Sequence, residues 1–290
     1  MQHLFNSGKS RRLALIDLDD TLLGPDKQIS NANRRALERL RSAGFETVIA
    51  SGRLHQNIVR FEGTIGTMGW IVSSAGALVR HAVSGQSLHE LTLSKEEALE
   101  VFAAGRAAGL SMIVYHRDGV FIEKESEWTR LYAERAGWKP ERADLLELAA
   151  SGVQKVLLSH SAETMASLRG GWDERFGKRF YMVETDREMI EFLSPRANKV
   201  IGAEAVAREM GIERADVVAF GDGNNDVELL AWAGFSVAMA HGRPAAHTAA
   251  SRISPPGPPE TAFARAADLV LSEVSGWPSP RRVDALEPAA

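Results

Sequence analysis

Short apolar runs that stop abruptly at polar or glycine residues recur along the chain. Leu13-Ala14-Leu15-Ile16 stops at Asp17, Thr47-Val48-Ile49-Ala50 at Ser51-Gly52, and Trp70-Ile71-Val72 at Ser73-Ser74 before Gly76. Far along the chain, Val217-Val218-Ala219-Phe220 stops at Gly221-Asp222, and Ser236-Val237-Ala238-Met239 stops before His241-Gly242. Their length and composition predict buried strands. Between the first two, residues 30–42 read as a helix, with Ser30 as N-cap, Ala36, Leu37 and Leu40 as the apolar stripe and Gly44 as the stop. Strands that are apolar throughout and alternate with helices predict an α/β fold, a parallel sheet covered on both faces. Ligands of such sheets bind beyond the carboxyl ends of the strands, so the polar stops are candidates to converge on one site.

The middle of the chain has a different pattern. Helical stretches at 95–108 and 128–136 mix with the runs Met112-Ile113-Val114-Tyr115, Val120-Phe121-Ile122, Val156-Leu157-Leu158 and Phe180-Tyr181-Met182-Val183. The run ending at Tyr115 and the run opening at Gly119 predict a hairpin across Arg117-Asp118-Gly119. An α+β insert at 83–190 then divides the main domain into a first part, 1–82, and a second part, 191–290, that ends in a tail expected to fray after Trp277. Ser254-Pro255-Pro256-Gly257-Pro258-Pro259 reads as an extended surface loop.

Composition changes this picture mainly by subtraction. The 290 residues are 44% hydrophobic and 25% charged, a globular mix that sets aside disorder and fibrous repeats. The absence of cysteine removes thiol nucleophiles, thiolate zinc sites and disulfides. A formal net charge of -4 supplies no basic field for nucleic acid. The amino terminus lacks the apolar stretch of a signal peptide, and no run approaches the roughly 20 apolar residues of a membrane span. The expectation is a cytoplasmic protein with no nucleic-acid or membrane partner.

Four polar stops carry candidate chemistry. Asp17 and Asp19 are two apart after the first strand, where extended backbone faces them to one side. Clustered acids repel without a cation, which points to a hard divalent metal such as Mg²⁺; an Asp-rich turn has the same composition. Gly221-Asp222-Gly223-Asn224-Asn225-Asp226 repeats the theme at a second strand end, although such clusters are also ordinary turns. It lacks the acidic spacing and terminal Glu of a calcium loop. Ser51-Gly52-Arg53 offers a hydroxyl, backbone N–H groups and a guanidinium suited to a phosphate, in a sequence that is also a common turn. Lys199 opens a helical run at 200–210 whose N-terminus favours an anion; alone, it reads more readily as a solvated lysine.

Taken together in this order, DLDDTLL at 17–23, SGR at 51–53, NK at 198–199 before a helix, and GDGNND at 221–226 resemble the haloacid dehalogenase-like (HAD) phosphatase superfamily. The insert, SPRANKVIGAEAVAREMGI at 194–212 and SVAMAHG at 236–242 look like its Cof-type branch with a subclass IIB α/β cap. The resemblance implies a Rossmann-like core with an inserted cap. It also implies Asp17 as nucleophile, Asp19 as general acid and base, and a Mg²⁺ site made by Asp17, the Asp19 backbone carbonyl and Asp222, with Asp226 in support. Phosphoryl oxygens would be held by Ser51, Gly52, Lys199 and Asn225. The implied substrate is a small phosphorylated metabolite, a sugar phosphate among the candidates, and the implied assembly a monomer or homodimer. A phosphomutase or phosphotransferase, or a noncatalytic phosphometabolite-binding protein, would share the same scaffold.

The chain departs from the branch in three places, one of them the longer connection that the proline-rich stretch at 254–259 makes before Asp268-Leu269-Val270-Leu271. Ser74-Ala75-Gly76-Ala77 stands where Asn-Gly-Ala is usual, and Ala240-His241-Gly242 replaces Gly-Asn-Ala. His241 and Arg53 are therefore candidate substrate contacts at the rim, with structural packing the other account of His241. His81, His89, His116 and His160 have no metal-ligand spacing; His116, in the hairpin, is a candidate to meet substrate from the cap. Trp128 and Tyr132, four apart on a helix, read as packing residues.

Overall fold

The computed structural model describes residues 12–66, 68–117 and 119–274. The amino-terminal segment, Asp118 of the expected hairpin turn and the tail beyond Trp277 lie outside the described residues. Two sheets organise the chain. The first begins with β1 (Arg12–Ile16), β2 (Phe45–Ala50), β3 (Trp70–Ser73), β4 (Leu78–His81) and β5 (Ser87–Glu90). The second contains β6 (Ser111–His116), β7 (Gly119–Ile122), β8 (Glu141–Arg142), β9 (Lys155–Ser159), β10 (Tyr181–Asp186) and β11 (Met189–Leu193). The chain then returns to the first sheet with β12 (Val217–Gly221), β13 (Phe235–Ala238) and β14 (Arg252–Ile253).

The first sheet runs β14-β13-β12-β1-β2-β3-β4-β5, parallel as far as β3 and antiparallel from there. Its register sets the site. Ile16 pairs with both Phe220 and Ile49, so Asp17, Ser51 and Asp222 leave adjacent strands at one edge. Successive residues of β1 face opposite sides. Ala14 and Ile16 enter one core with Leu37, Leu40 and Phe263; Leu13 and Leu15 enter another with Ala203, Val206 and Leu229. This two-sided burial explains why the strand is apolar throughout.

The helices of the core are α1 (Asn31–Ser42), α2 (His55–Val59), α3 (Glu62–Ile65), and, after the insert, α8 (Lys199–Glu209), α9 (Val227–Trp232), α10 (Pro244–Ala249) and α11 (Ala262–Val274). Those of the insert are α4 (Lys95–Ala107), α5 (Glu127–Ala136), α6 (Leu145–Ala149) and α7 (Ala162–Phe176). Ser30 caps α1 by accepting from the Asn33 N–H, as its place in the sequence predicts. The described helices include none long and apolar enough to cross a membrane.

The second sheet, ordered β10-β11-β9-β6-β7-β8, forms the cap. One face packs against α4 and α7 through Phe102, Trp172, Phe176 and Phe192. The other gathers Ile113, Tyr115, Leu157 and Met189 together with Leu54 of the core. Sheet membership puts the crossings between the two units at different residues from the expected 82/83 and 190/191. Strand β5 still belongs to the core sheet, and β11, in which the expected boundary falls, belongs to the cap sheet. β5 holds Ser87, His89 and Glu90 and carries no apolar run to mark it as a strand. The proline-rich segment at 254–259 forms a loop between β14 and α11, tied down by Arg265, which donates to the carbonyls of Pro255 (2.8 Å) and Pro258 (3.0 Å).

Candidate active site

The carboxyl ends of β1, β2 and β12 open beneath the cap into a cavity of about 440 Å³. Asp17, at the end of β1, is buried at its floor. Lys199 Nζ donates to Asp17 Oδ1 at 2.6 Å and to Asp226 Oδ1 at 2.6 Å. The other Asp226 oxygen accepts from the backbone N–H groups of Asp222 (3.0 Å) and Gly223 (2.9 Å), which fixes the turn after β12. Thr21 Oγ1 donates to Asp222 Oδ1 at 2.9 Å and ties the loops of β1 and β12 together.

Asp17, Asp222 and Asp226 each offer a carboxylate oxygen within 4.8 Å of the others, a grouping that could hold a metal ion. Burial, then the charge of Asp226, pushes Asp17 well above the usual carboxylate range, with Lys199 pulling the other way. Burial and the same Asp226 charge push Asp222 up to about 7. Lys199 is raised despite its burial, because Asp17 and Asp226 hold its charge. Three carboxylates around one ammonium leave a shortage of positive charge. A hard divalent cation with oxygen ligands fits that shortage.

Asp19 is held differently. Arg53 grips it with two parallel hydrogen bonds, Nε to Oδ2 at 2.7 Å and Nη2 to Oδ1 at 2.6 Å, and Lys27 adds an ion pair at 3.2 Å. Burial acts to raise the Asp19 pKa, but Arg53 and Lys27 outweigh it and hold it below the usual value. Ser51, Gly52 and Asn225 line the cavity, while Lys199 lies beneath the lining.

The loop after β3 braces the two segments expected to hold phosphate. Ser74 N–H donates to Arg53 O at 2.8 Å and Ala75 N–H to Ser51 O at 3.0 Å. Gly76 sits at φ +92°, and a Cβ there would lie 1.9 Å from the Asn198 carbonyl oxygen, so the close approach of this loop to the start of α8 requires glycine. Ala75 thus contributes its backbone where the branch usually has a polar side chain.

Two expected substrate contacts do not reach the cavity. His116 bonds Ser151 Oγ at 2.7 Å on the far side of β6, because strand alternation gives the cavity face to its neighbour Tyr115. His241 Nε2 lies 2.7 Å from the Asp20 carbonyl and outside the lining, so it buttresses the loop of β1. The cap instead presents Tyr115, Tyr132, Arg135, Lys155, Thr185 and Glu191. Tyr132 is both packed and exposed to the cavity, with its hydroxyl 2.8 Å from that of Tyr115. Lys155 bridges Glu191 (2.8 Å) and the carbonyl of Gly52 in the core (3.0 Å). Apart from the packing of Tyr132, the sequence marks none of these roles; Thr21 lies inside the DLDDTLL motif, which could point to it.

A family model described as haloacid dehalogenase-like hydrolase matches residues 14–257. The chain belongs to this family of hydrolases, with the capped α/β fold that its motifs predict. It is 28% identical over 233 residues to a protein named HMP-PP phosphatase from Cronobacter sakazakii, covering 80% of this chain and 85% of that one. A haloacid dehalogenase-like hydrolase from Bacteroides thetaiotaomicron superposes with a TM-score of 0.79 at 24% identity over 90% of this chain and 99% of its own. The HAD subclass IIB sugar phosphatase BT4131 superposes with a TM-score of 0.78 at 17% identity over 89% and 98% of the two chains.

Proposed function

We propose that the protein is a Mg²⁺-dependent phosphatase that hydrolyses a small phosphorylated metabolite through an aspartyl phosphate on Asp17. The observation that carries this reading is the placement of Asp17 at the cavity floor, 2.6 Å from Lys199 Nζ and grouped with Asp222 and Asp226. A carboxylate so placed can attack phosphorus, forming an Asp17 Oδ–P bond as the P–O bond to the alcohol breaks. Asp19 delivers a proton to the departing oxygen, then takes one from the water that cleaves the acyl phosphate and regenerates the Asp17 carboxylate. Ser51, the Gly52 backbone, Lys199 and Asn225 supply the donors that stabilise charge on the transferring group. Asp17, Asp222 and Asp226 fit a Mg²⁺ ion, whose chemistry when bound is to neutralise phosphoryl oxygen charge.

Arg53 and Lys27 hold Asp19 as an anion in the structure. The proposal therefore requires substrate to loosen that grip before proton donation. The relatives named as phosphatases support the reaction class. The test is release of inorganic phosphate from p-nitrophenyl phosphate without an added acceptor. EDTA should silence it and Mg²⁺ restore it. Phosphate transferred only to an added sugar would indicate a phosphotransferase, and binding without turnover a sensor.

A further inference from the structure

The cavity carries more cationic chemistry than one phosphoryl group needs. Its lining includes Lys27, Arg53, Arg135, Lys155 and Arg243. Four of these are already held by carboxylates. Lys27 and Arg53 hold Asp19, Arg135 holds Asp186 and Glu188 at 2.9 and 3.0 Å, and Lys155 holds Glu191.

Arg243 is different. Its backbone is fixed, donating to the carbonyl of Asp222 at 2.7 Å and accepting from the His247 N–H at 3.1 Å. Its side chain is exposed, and among the described residues its guanidinium has no hydrogen bond or ion pair. Asp186 lies within its field, but the carboxylate of Asp186 is taken by Arg135. A rooted, unpaired guanidinium beside the Asp222 loop is a site for an anion that arrives from outside.

A second observation comes from the cap. Thr185 Oγ1 on β10 is buried without a hydrogen-bond partner, and Thr185 lines the same cavity. An unsatisfied buried hydroxyl costs stability until something bonds to it. The volume agrees, since about 440 Å³ accommodates a small ligand well beyond a single phosphoryl group.

We propose that Arg243 is a specificity-determining residue that binds a second anionic group, a carboxylate or a second phosphoryl, on a substrate whose scissile phosphoryl group lies at Asp17. Thr185, on the cap wall of the same cavity, then meets the polar body of that substrate once its side chain turns to present Oγ1. The proposal rests on the phosphatase reading above. It also locates specificity beside Ala240-His241-Gly242, where this chain departs from its family's usual sequence.

The experiment measures phosphate release from matched pairs of esters. Glucose 6-phosphate against 6-phosphogluconate tests the carboxylate, and fructose 6-phosphate against fructose 1,6-bisphosphate tests the second phosphoryl. In at least one pair the wild type should prefer the doubly anionic member by about tenfold or more in kcat/KM, as expected for a charge-assisted contact. Arg243→Ala should remove most of that preference through KM, leaving kcat little changed, and Arg243→Lys should restore part of it. A wild type without preference in either pair would overturn the proposal. So would an equal loss on both members of the preferred pair in Arg243→Ala. Absence of phosphate release from every ester, p-nitrophenyl phosphate included, would instead remove the phosphatase reading and this proposal with it.

Discussion

Asp17 sits between two opposing influences, a buried acidic cluster and the Lys199 ammonium. Replacing it with Asn keeps the shape and removes the proposed nucleophile. Asp17→Asn should lower p-nitrophenyl phosphate turnover by about 10³-fold or more while leaving the circular dichroism spectrum unchanged. The same cluster sets a pH dependence. Asp222 is raised to about 7 and Asp17 is raised as well, so the metal-free folded chain keeps protons that the unfolded chain loses near pH 4. Its stability therefore falls as pH rises from about 4 toward 7. Asp19, lowered in the fold, contributes the opposite slope, but only below its ordinary value, outside that window. Because a bound cation requires ionised carboxylates, Mg²⁺ should raise the melting temperature more at pH 8 than at pH 5. Thermal shift with Mg²⁺ against EDTA at the two pH values measures this. Equal increments would argue against Asp17 and Asp222 as ligands.

Among elements, two connections hold the site loops. Asn33, fully buried on α1, donates to the Leu22 carbonyl at 2.8 Å and accepts from the Ala264 N–H at 3.0 Å, joining the loop after β1 to α11. Asn33→Leu leaves both backbone groups unpaired and should cost about 2–4 kcal/mol in urea denaturation. Gly76→Ala strains a left-handed residue and forces the loop off Asn198; it should cost about 2 kcal/mol or more and also reduce turnover through Lys199.

These connections also show what the sequence could reveal. The ends of β1, β2 and β12 were legible because buried parallel strands are apolar throughout and stop at the site. The cap side of the cavity was not, because an antiparallel strand offers alternate residues to two faces. Whether Tyr115 or His116 faces the cavity depends on how the whole sheet is set upon the core. Asn33 reads as one polar residue in a helix, since its partners are 11 and 231 residues away.

For the molecule as a whole, one specific joint between cap and core lies at the end of α5. Helix α5 ends at Gly137 in the left-handed conformation, and its last carbonyls need donors. The core supplies them: Arg53 (3.0 Å) and Asn57 (2.8 Å) to the Ala136 carbonyl, and Arg60 (2.7 Å) to that of Gly137. Removing Asn57 and Arg60 together, each to Ala, should loosen this joint while Arg53 keeps its hold on Asp19. Hydrogen–deuterium exchange should rise at 52–60 and 136–137 and stay unchanged in β1. Unchanged exchange at both surfaces would show that the joint is held elsewhere.

The placement of β1 between β2 and β12 has a consequence for synthesis. Thr21 and Asp222 bond although they stand 201 residues apart in the chain, so the loop carrying Asp17 emerges from the ribosome long before its partners. At roughly 5–20 residues per second, that interval is about 10–40 s. Through most of it the first acidic loop lacks Lys199, and through all of it the turn after β12, so the nascent chain can neither assemble the carboxylate cluster nor act on a phosphate ester. Activity therefore appears late and all at once, after the ribosome has passed the last strand that the site requires.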